Sequence, residues 1–221
     1  NSIDGAVTTT MDALAATESA RIVGETELAI AFAVMTRRGH KLDDALRLAT
    51  HPVAHQQVKR WIAENAPKAE FIPAPSNAAA AKMVADGAAD VAVAPERAAA
   101  LHGLEVHARG VADAETARTR FVLVAKQTAP PKPSGNDRTA IVFRTKNEPG
   151  ALVRVLQEFA ARGVDMTRIE SRPTREEPNT YDFFVDLAGH ASDADVADAL
   201  EAGAEHTTEM RQLGTWPREA R

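Results

Sequence analysis

The stretch ARTRFVLVA, residues 117–125, places one hydroxyl group between two guanidinium groups and then continues as an apolar run. The hydroxyl group belongs to Thr119, and residues 121–125 have the length and the aromatic and β-branched content of a strand. Residues 127–137 follow with three prolines and a glycine, which predicts a linker. We therefore expect residues 117–125 to be the last strand of one domain. Taken alone, they also fit an edge strand with solvated arginines.

The composition limits the class of protein. A chain of 221 residues, of which 44% are hydrophobic, can form one or two domains with buried cores. It has no apolar run long enough to cross a membrane and no signal-like N-terminus, so we expect a cytoplasmic protein without a membrane partner. The absence of cysteine excludes disulfides and thiol chemistry, and the seven histidines lack metal-site spacing. We therefore expect no cofactor and no metal.

The formal charge of −5 is unevenly distributed. Residues 137–221 contain 11 lysines and arginines and 16 aspartates and glutamates, whereas residues 1–136 contain 15 of each kind. Neither part is basic, which argues against a nucleic-acid partner.

The first part of the chain alternates short strands with helices. Strand patterns occur at residues 22–35, 71–72, 90–94 and 104–107, and helix patterns begin near residues 8, 50, 76 and 95. The helix that begins near residue 50 has an apolar face, which consists of Ala54, Val58, Trp61 and Ile62. This alternation predicts an α/β domain with a mainly parallel sheet.

Three helix starts in this part carry small polar side chains: Asn1-Ser2, Thr50-His51 and Ser76-Asn77. In parallel sheets, ligands bind at the carboxyl ends of the strands, where helix N-termini present free N–H groups. Each start alone also fits an ordinary helix cap. Together with Thr119 and Arg120, the three starts predict a site for a ligand with two carboxylates.

The order of elements changes after the linker. Strand patterns cover residues 139–145, 164–172, 181–187 and 207–213, and helices follow residues 150 and 192. The resulting order βαββαβ is the ferredoxin-like arrangement. Its two helices cover one face of the sheet. The other face would carry large apolar groups, either Phe184 or the alternating set Tyr181, Phe183, Val185 and Leu187. Such a face usually binds a partner, which predicts at least a dimer.

Two short motifs of the C-terminal part resemble those of a known family. Gly150-Ala151-Leu152-Val153 and Ile169-Glu170-Ser171-Arg172-Pro173 are similar to the two motifs found in the ACT domain of prephenate dehydratases. The resemblance implies a ferredoxin-like ACT regulatory domain over residues 138–221, preceded by the linker at residues 127–137.

The N-terminal part resembles the catalytic domain of the same family. The shared motifs are Asn1-Ser2-x-x-Gly5-x-Val7, Thr50-His51-Pro52 with Gln57, Ser76-Asn77-Ala78-Ala79 and Thr119-Arg120-Phe121. The resemblance implies a two-lobed domain, similar to type II periplasmic binding proteins, over residues 1–126. Because the chain starts inside the first motif, we expect this domain to be incomplete at its N-terminus. Ala117 stands where many members have asparagine, and Thr50 replaces a serine but keeps the hydroxyl group.

The implied activity is the decarboxylating dehydration of prephenate to phenylpyruvate, a step of L-phenylalanine biosynthesis. Thr119 is implied as the catalytic donor to the departing hydroxyl group, and Arg120 as a group that offsets carboxylate charge. The implied substrate-binding residues are Asn1, Ser2, His51, Ser76, Asn77, Arg120 and Phe121. A turn role for His51 and simple packing for Phe121 are the alternatives.

The resemblance also implies L-phenylalanine as an allosteric effector. Its binding residues would be Asn147, Pro149, Gly150, Ala151 and Leu152 in one turn, and Glu170, Ser171 and Arg172, which by resemblance meet that turn in a partner subunit. A glycine lets a ligand approach the backbone, and a helix N-terminus suits a carboxylate. A tight turn that needs glycine is the alternative. The arrangement implies a homo-oligomer, either a dimer or a tetramer, joined through the ACT domains.

Two other classes of function stay open at this point. One is a non-catalytic module that binds phenylalanine through its ACT domain beside a catalytic remnant, which the expected lack of a leading segment favours. The other is a solute-binding receptor, which the lack of a visible export signal disfavours.

Overall fold

The chain forms two compact units in its structure, a computed structural model that describes residues 7–114, 117–126, 129–174 and 178–219. The first unit contains residues 28–119, and the second contains residues 7–27 together with residues 120–219. Of the helices in these described residues, none is both long and apolar enough to cross a bilayer.

The described residues contain seven α-helices and eleven strands. In chain order the first are α1 (Thr8–Ala16), β1 (Ala20–Ala29), β2 (Ala33–Thr36), β3 (Arg47–Thr50), α2 (Pro52–Gln56), α3 (Lys59–Asn65), β4 (Glu70–Pro73), α4 (Asn77–Ala85), β5 (Val91–Ala94), α5 (Arg97–His102) and β6 (Glu105–Arg109). They are followed by β7 (Arg118–Lys126), β8 (Asp137–Arg144), α6 (Ala151–Ala161), β9 (Met166–Pro173), β10 (Tyr181–Ala188), α7 (Ala194–Ala204) and β11 (Glu209–Pro217).

The first unit is built on a five-stranded sheet with the strand order β4-β3-β5-β2-β6. β3 runs parallel to β4 and β5, whereas β2 runs antiparallel to β5 and β6. The predicted α/β class is therefore confirmed, but the sheet is mixed, because β2 runs opposite to the other four strands. The strand predicted at residues 22–35 is two strands, β1 and β2, which belong to different sheets.

The two faces of this sheet pack against different kinds of side chain. One face is rich in alanine, and Ala49 and Ala92 pack there with Ala80 of α4. The other face carries larger groups, and Leu48 packs there in a cluster that includes Trp61 of α3. Because successive residues of a strand point to opposite faces, adjacent residues such as Leu48 and Ala49 serve different cores.

The helix predicted after residue 50 is interrupted. Its apolar face is confirmed, because Ala54, Val58, Trp61 and Ile62 belong to one hydrophobic cluster. The segment nevertheless forms two short helices, α2 and α3. The Gln57 carbonyl accepts a hydrogen bond from the backbone N–H of Asp113 (2.7 Å), so this acceptor is engaged outside the helix.

The second unit contains the predicted βαββαβ arrangement, formed by β8, α6, β9, β10, α7 and β11. The four strands are antiparallel neighbours in the order β11-β8-β10-β9, which confirms the ferredoxin-like fold. α6 and α7 cover one face of the sheet, where Phe143, Phe159 and Val185 are almost completely buried.

Two further strands extend this sheet beyond β11. β1 pairs in parallel with β11, with Ile22 opposite Gly214, and β7 lies beside β1 at the edge. Residues 117–125, predicted to close the first domain, are confirmed as a strand, but this strand lies in the sheet of the second unit. The free edge of β11 explains the difference, because an edge strand has unpaired N–H and C=O groups that can bind a neighbouring strand.

The face of this sheet opposite α6 and α7 is covered by α1. Met11 and Leu14 of α1 pack with Phe184 and Trp216, whose exposed fractions are 1% and 0%. The alternating set of β10, which includes Phe183, faces α6 and α7 instead. The prediction of an uncovered apolar face is therefore wrong. Met11 and Leu14 are three positions apart in α1, so both lie on the side of the helix that meets the sheet.

The described part of the predicted linker is bound to the second unit. His190, which is 3% exposed, forms a hydrogen bond between its Nε2 atom and the carbonyl of Pro131 (2.9 Å). The Asp137 carboxylate accepts hydrogen bonds from the Ser134 hydroxyl group (2.8 Å) and from the Gly135 backbone N–H (3.0 Å). Gln127, the first residue of the predicted linker, lies outside the described residues.

We predict that Gly214→Ala destabilises the second unit. A Cβ atom at this position would lie 2.0 Å from the Ile22 carbonyl oxygen, so β1 would have to move away from β11. Gly24→Ala is the matched control, because its Cβ atom would meet nothing closer than 3.7 Å. Urea denaturation should show a loss of about 1–3 kcal/mol for Gly214→Ala. The control should stay within about 0.5 kcal/mol of the wild type. Equal stability of the two variants would contradict this pairing of β1.

Candidate functional site

Two of the predicted helix starts meet at one edge of the first sheet. β3 and β4 are parallel neighbours, with Thr50 opposite Pro73, so α2 and α4 begin just beyond the same ends of the strands. The Asn77 side-chain oxygen accepts a hydrogen bond from the His51 backbone N–H (3.3 Å). The structure therefore brings together His51 and Asn77, and with them Ser76, the residue before Asn77.

Thr50 has a structural role at this edge. Its hydroxyl group is completely buried and donates a hydrogen bond to the Val93 carbonyl (2.7 Å). This bond ties the end of β3 to β5, which lies on its other side. The helix start that follows is therefore held from both neighbouring strands.

Both helix starts carry side-chain caps. The Ser76 hydroxyl oxygen accepts a hydrogen bond from the Ala79 N–H (3.0 Å), and His51 Nδ1 accepts one from the Val53 N–H (3.2 Å). Each start is thus a helix cap in the ordinary sense. Because Nδ1 accepts a hydrogen bond, the proton of a neutral His51 ring lies on Nε2, where it can be donated to an anionic group.

Thr119 and Phe121 lie at the start of β7. Thr119 is half-buried, and Phe121 is 52% exposed, so packing in a core is not its role. Within the described residues, no hydrogen bond joins Thr119 to the His51 and Asn77 helix starts. Asn1 and Ser2, the first predicted substrate-binding residues, lie outside the described residues.

Arg120 is held by two carboxylates of the second unit. Its Nη2 atom donates to Asp186 Oδ2 (2.6 Å), and its Nη1 atom lies 3.6 Å from Glu25 Oε2. Asp186 also binds Arg168 (3.1 Å), and Glu25 also binds Arg138 (2.5 Å). We refer to these five residues as the buried ion cluster.

The carboxylates of the buried ion cluster are almost completely shielded from water. The exposed fractions of the Asp186 and Glu25 side chains are 1% and 2%. Burial opposes the charge of Asp186, but Arg168 and Arg120 outweigh it and hold the pKa of Asp186 below its usual range. Asp186 is therefore ionised at neutral pH. Burial and the neighbouring Arg120 lower the pKa of Arg138.

Sequence reasoning missed Glu25 and Asp186. Asp186 lies two residues after Phe184, so both side chains point to the same buried face of β10. A carboxylate at such a position is almost never buried without a partner. The aspartate within the otherwise apolar stretch of residues 183–188 was thus the signal that could have indicated an ion pair.

The turn before α6 is the predicted effector site. Gly150 begins the helix with a φ of +80°, a conformation that favours glycine. The Ala151 N–H donates to the Glu148 carbonyl (3.2 Å), and the Glu148 carboxylate pairs with Arg154. The tight-turn interpretation of Gly150 is therefore confirmed, and the turn also presents the N-terminal end of an 11-residue helix.

The second effector motif lies on β9, the edge strand of the sheet. Glu170 pairs with Arg168 (3.3 Å), and Ser171 is exposed. Both guanidinium nitrogens Nε and Nη2 of Arg172 donate to the Asp12 carboxylate of α1, at 2.7–2.9 Å. The motif therefore occupies an edge at which a second chain could pair.

Metal ligands do not gather at either site. In the part of the chain that the structure describes, no three His, Cys, Asp or Glu side chains are grouped so that they could hold a metal ion.

Two family models match the chain. The model described as prephenate dehydratase matches residues 1–129, and the model of the ACT domain matches residues 139–202. The two matched ranges contain the motifs that carry the resemblance.

Individual relatives extend this similarity. A prephenate dehydratase of Corynebacterium glutamicum is 52% identical over 217 residues, which cover 98% of this chain and 69% of that protein. A solved prephenate dehydratase from Arthrobacter aurescens in complex with L-Phe is 39% identical, with a TM-score of 0.89, and covers 98% of this chain and 72% of that chain. The structure of GqqA, described as a novel type of quorum quenching acylase, is 35% identical, with a TM-score of 0.79, and covers 91% of this chain and 73% of that chain.

Proposed function

This chain belongs to the prephenate dehydratase family, and we propose on that basis that it converts prephenate to phenylpyruvate in L-phenylalanine biosynthesis. The observation that carries the proposal is the match of residues 1–129 to the family model, with the Thr119-Arg120-Phe121 motif inside the matched range. The 52% identity to a prephenate dehydratase supports the enzyme over a non-catalytic binding module.

The chemistry needs little covalent help from the protein. Loss of the ring carboxyl group as carbon dioxide supplies the electron pair that forms the aromatic ring, and the ring hydroxyl group leaves. We propose that Thr119 donates a hydrogen bond to this hydroxyl group, which leaves as hydroxide with the electron pair of the C–O bond and takes up a proton from solvent to give water. Because a threonine hydroxyl group is a weak acid, Thr119 contributes a hydrogen bond in the transition state and does not ionise beforehand.

Holding the two carboxylates of prephenate is the second task. We assign it to His51, Ser76 and Asn77, with Arg120 offsetting carboxylate charge and Phe121 contacting the substrate. The Nε2 proton of His51 and the N-terminal end of the nine-residue helix α4 suit carboxylates. Asn1 and Ser2 complete the proposed set through the family resemblance alone.

The proposal includes a division of the chain. Residues 1–126 form the catalytic domain, residues 127–137 the linker and residues 138–221 the ACT regulatory domain. The ranges of the two family models support this division. We also propose that the enzyme works in the cytoplasm.

We predict that Thr119→Ala lowers kcat by at least about 100-fold, because the donor to the leaving hydroxyl group is lost. Thr119→Ser, which keeps the hydroxyl group, is the matched control and should stay within about tenfold of the wild type. Formation of phenylpyruvate from prephenate measures both. Near-normal turnover of Thr119→Ala would contradict the assignment, and a wild-type chain without turnover would favour the non-catalytic binding module.

Regulation by L-phenylalanine is the further part of the proposal. The solved relative from Arthrobacter aurescens is a complex with L-Phe, and residues 139–202 match the ACT model. We assign the effector to the turn with Asn147, Pro149, Gly150, Ala151 and Leu152, together with Glu170, Ser171 and Arg172 of a second copy. The helix N-terminus at Gly150 suits the carboxylate of an amino acid.

We predict that L-phenylalanine binding is lost in Gly150→Leu. The side chain would fill the space in front of the α6 N-terminus, and the positive φ would be strained. Gly163→Leu is the matched control, because Gly163 follows the same helix with a φ of +69° and nothing within 4 Å of its Cβ position. It carries the same kind of backbone strain away from the site. Calorimetry should show binding in the control only, and equal affinities of the two variants would place the site elsewhere.

We propose that the chain forms at least a dimer through its ACT domains, and a tetramer by family resemblance. β9 is an edge strand of the sheet, and Ile169 on it is 48% exposed. Unpaired N–H and C=O groups of such an edge can pair with a second copy. Light scattering at micromolar concentration should give at least twice the mass of one chain, and the mass of a monomer would contradict the proposal.

A further inference from the structure

Asp186 lies at the junction of three elements of the second unit. Its Oδ2 atom accepts hydrogen bonds from Arg120 of β7 (2.6 Å) and from Arg168 of β9 (3.1 Å). Its backbone carbonyl accepts a hydrogen bond from the Thr167 hydroxyl group (3.2 Å). Because the side chain is 1% exposed, water cannot replace these partners, and the carboxylate has a fixed place on β10.

The strand geometry of β7 links Arg120 to its neighbour in the chain. Successive side chains of a strand point to opposite faces, so Arg120 and Thr119 lie on opposite faces of β7. Val122, two residues after Arg120, packs in the cluster under α1, which agrees with the direction of Arg120 toward Asp186. β7 is paired with β1 in the sheet, and the guanidinium held on one face adds a second restraint on the rotation of β7 and on the direction of Thr119.

The charges determine what the loss of Asp186 would do. Without the Asp186 carboxylate, Arg120 keeps only Glu25, whose oxygen lies 3.6 Å away, beyond hydrogen-bonding distance. The guanidinium would then lose its fixed orientation. At the same time one negative charge would be removed from the surroundings of Arg120, so a ligand with two carboxylates would meet less repulsion.

We propose that Asp186 is a positioning residue for the dehydration: it fixes Arg120 and thereby aims Thr119. The inference rests on the proposed function. It goes beyond that function because it makes a strand of the ACT fold part of the support of the reacting hydroxyl group. The two effects of Asp186 can also be measured separately. Loss of the orientation of Thr119 lowers kcat, whereas loss of the negative charge of Asp186 changes KM.

The test compares Asp186→Asn with Asp182→Asn. Asp182 lies on the same face of the same strand and pairs with Arg144 (3.0 Å), outside the buried ion cluster. For Asp186→Asn we expect kcat to fall about 10- to 100-fold, as a displacement of about 1 Å produces. KM should be unchanged or lower, and the L-phenylalanine Kd should stay within about twofold, because the effector turn is untouched. Asp182→Asn should match the wild type in all three quantities.

A second comparison tests the inference even if Asp186→Asn alone does not fold. Arg120→Gln is compared with the double variant Arg120→Gln/Asp186→Asn, in which both charges of the pair are gone and no lone charge is created. If Asp186 acts through Arg120, the two variants have the same kcat within about twofold. A further tenfold loss in the double variant would overturn the inference.

Three other outcomes decide between the possibilities. A wild-type kcat in Asp186→Asn, with an active wild-type enzyme, would overturn this inference and leave the proposed function intact. Absence of turnover in the wild-type chain would overturn the proposed function and, with it, the inference. A fall in apparent kcat that matches the measured loss of folded protein, with KM unchanged, would mean that Asp186 serves stability only, which also overturns the inference.

Discussion

The pairing of two buried carboxylates with three guanidinium groups is the interaction on which the second unit depends most. Glu25 lies on β1, Asp186 on β10, and their partners lie on β7, β8 and β9. An unpaired charge at such depth would cost several kcal/mol, so no strand of the cluster can shift and leave its partner's charge buried alone. Hydrophobic burial by α1 on the same face provides stability, but it is not directional. The ion pairs are directional, because each guanidinium group must meet its own carboxylate, and they therefore fix how the strands are placed.

In the first unit, other interactions fix the positions of the strands and helices. Its sheet ends in buried, uncharged hydrogen bonds, such as that from Thr50 to the Val93 carbonyl, and its helix α4 lies on an alanine-rich face. Small side chains bring helix and sheet close together, so the N-terminus of α4 is placed by backbone geometry more than by long side chains. The grouping of His51 and Asn77 follows from the parallel register of β3 and β4.

Local patterns were sufficient for part of this architecture. The βαββαβ order, the helix start at Ser76 and the strand after Thr119 follow from periodicity and cap residues, which act over a few positions. The sheet to which β7 belongs, the cover that α1 provides for Phe184 and the break of the helix at Gln57 depend on contacts with distant segments. The ion cluster was missed for the same reason, since no local rule pairs Glu25 with Arg138. For the candidate site, the sequence indicated the helix starts, whereas their grouping at one sheet edge needed the register.

The two tryptophans of the chain are divided between the units. Trp216 is completely buried under α1 in the second unit, and Trp61 is partly buried on α3 in the first. An indole ring without contact to water emits at shorter wavelength than one that water reaches. The fluorescence of the two tryptophans therefore reports on the two units. Emission near the blue end of the tryptophan band reports on α1, and emission near the red end reports on α3.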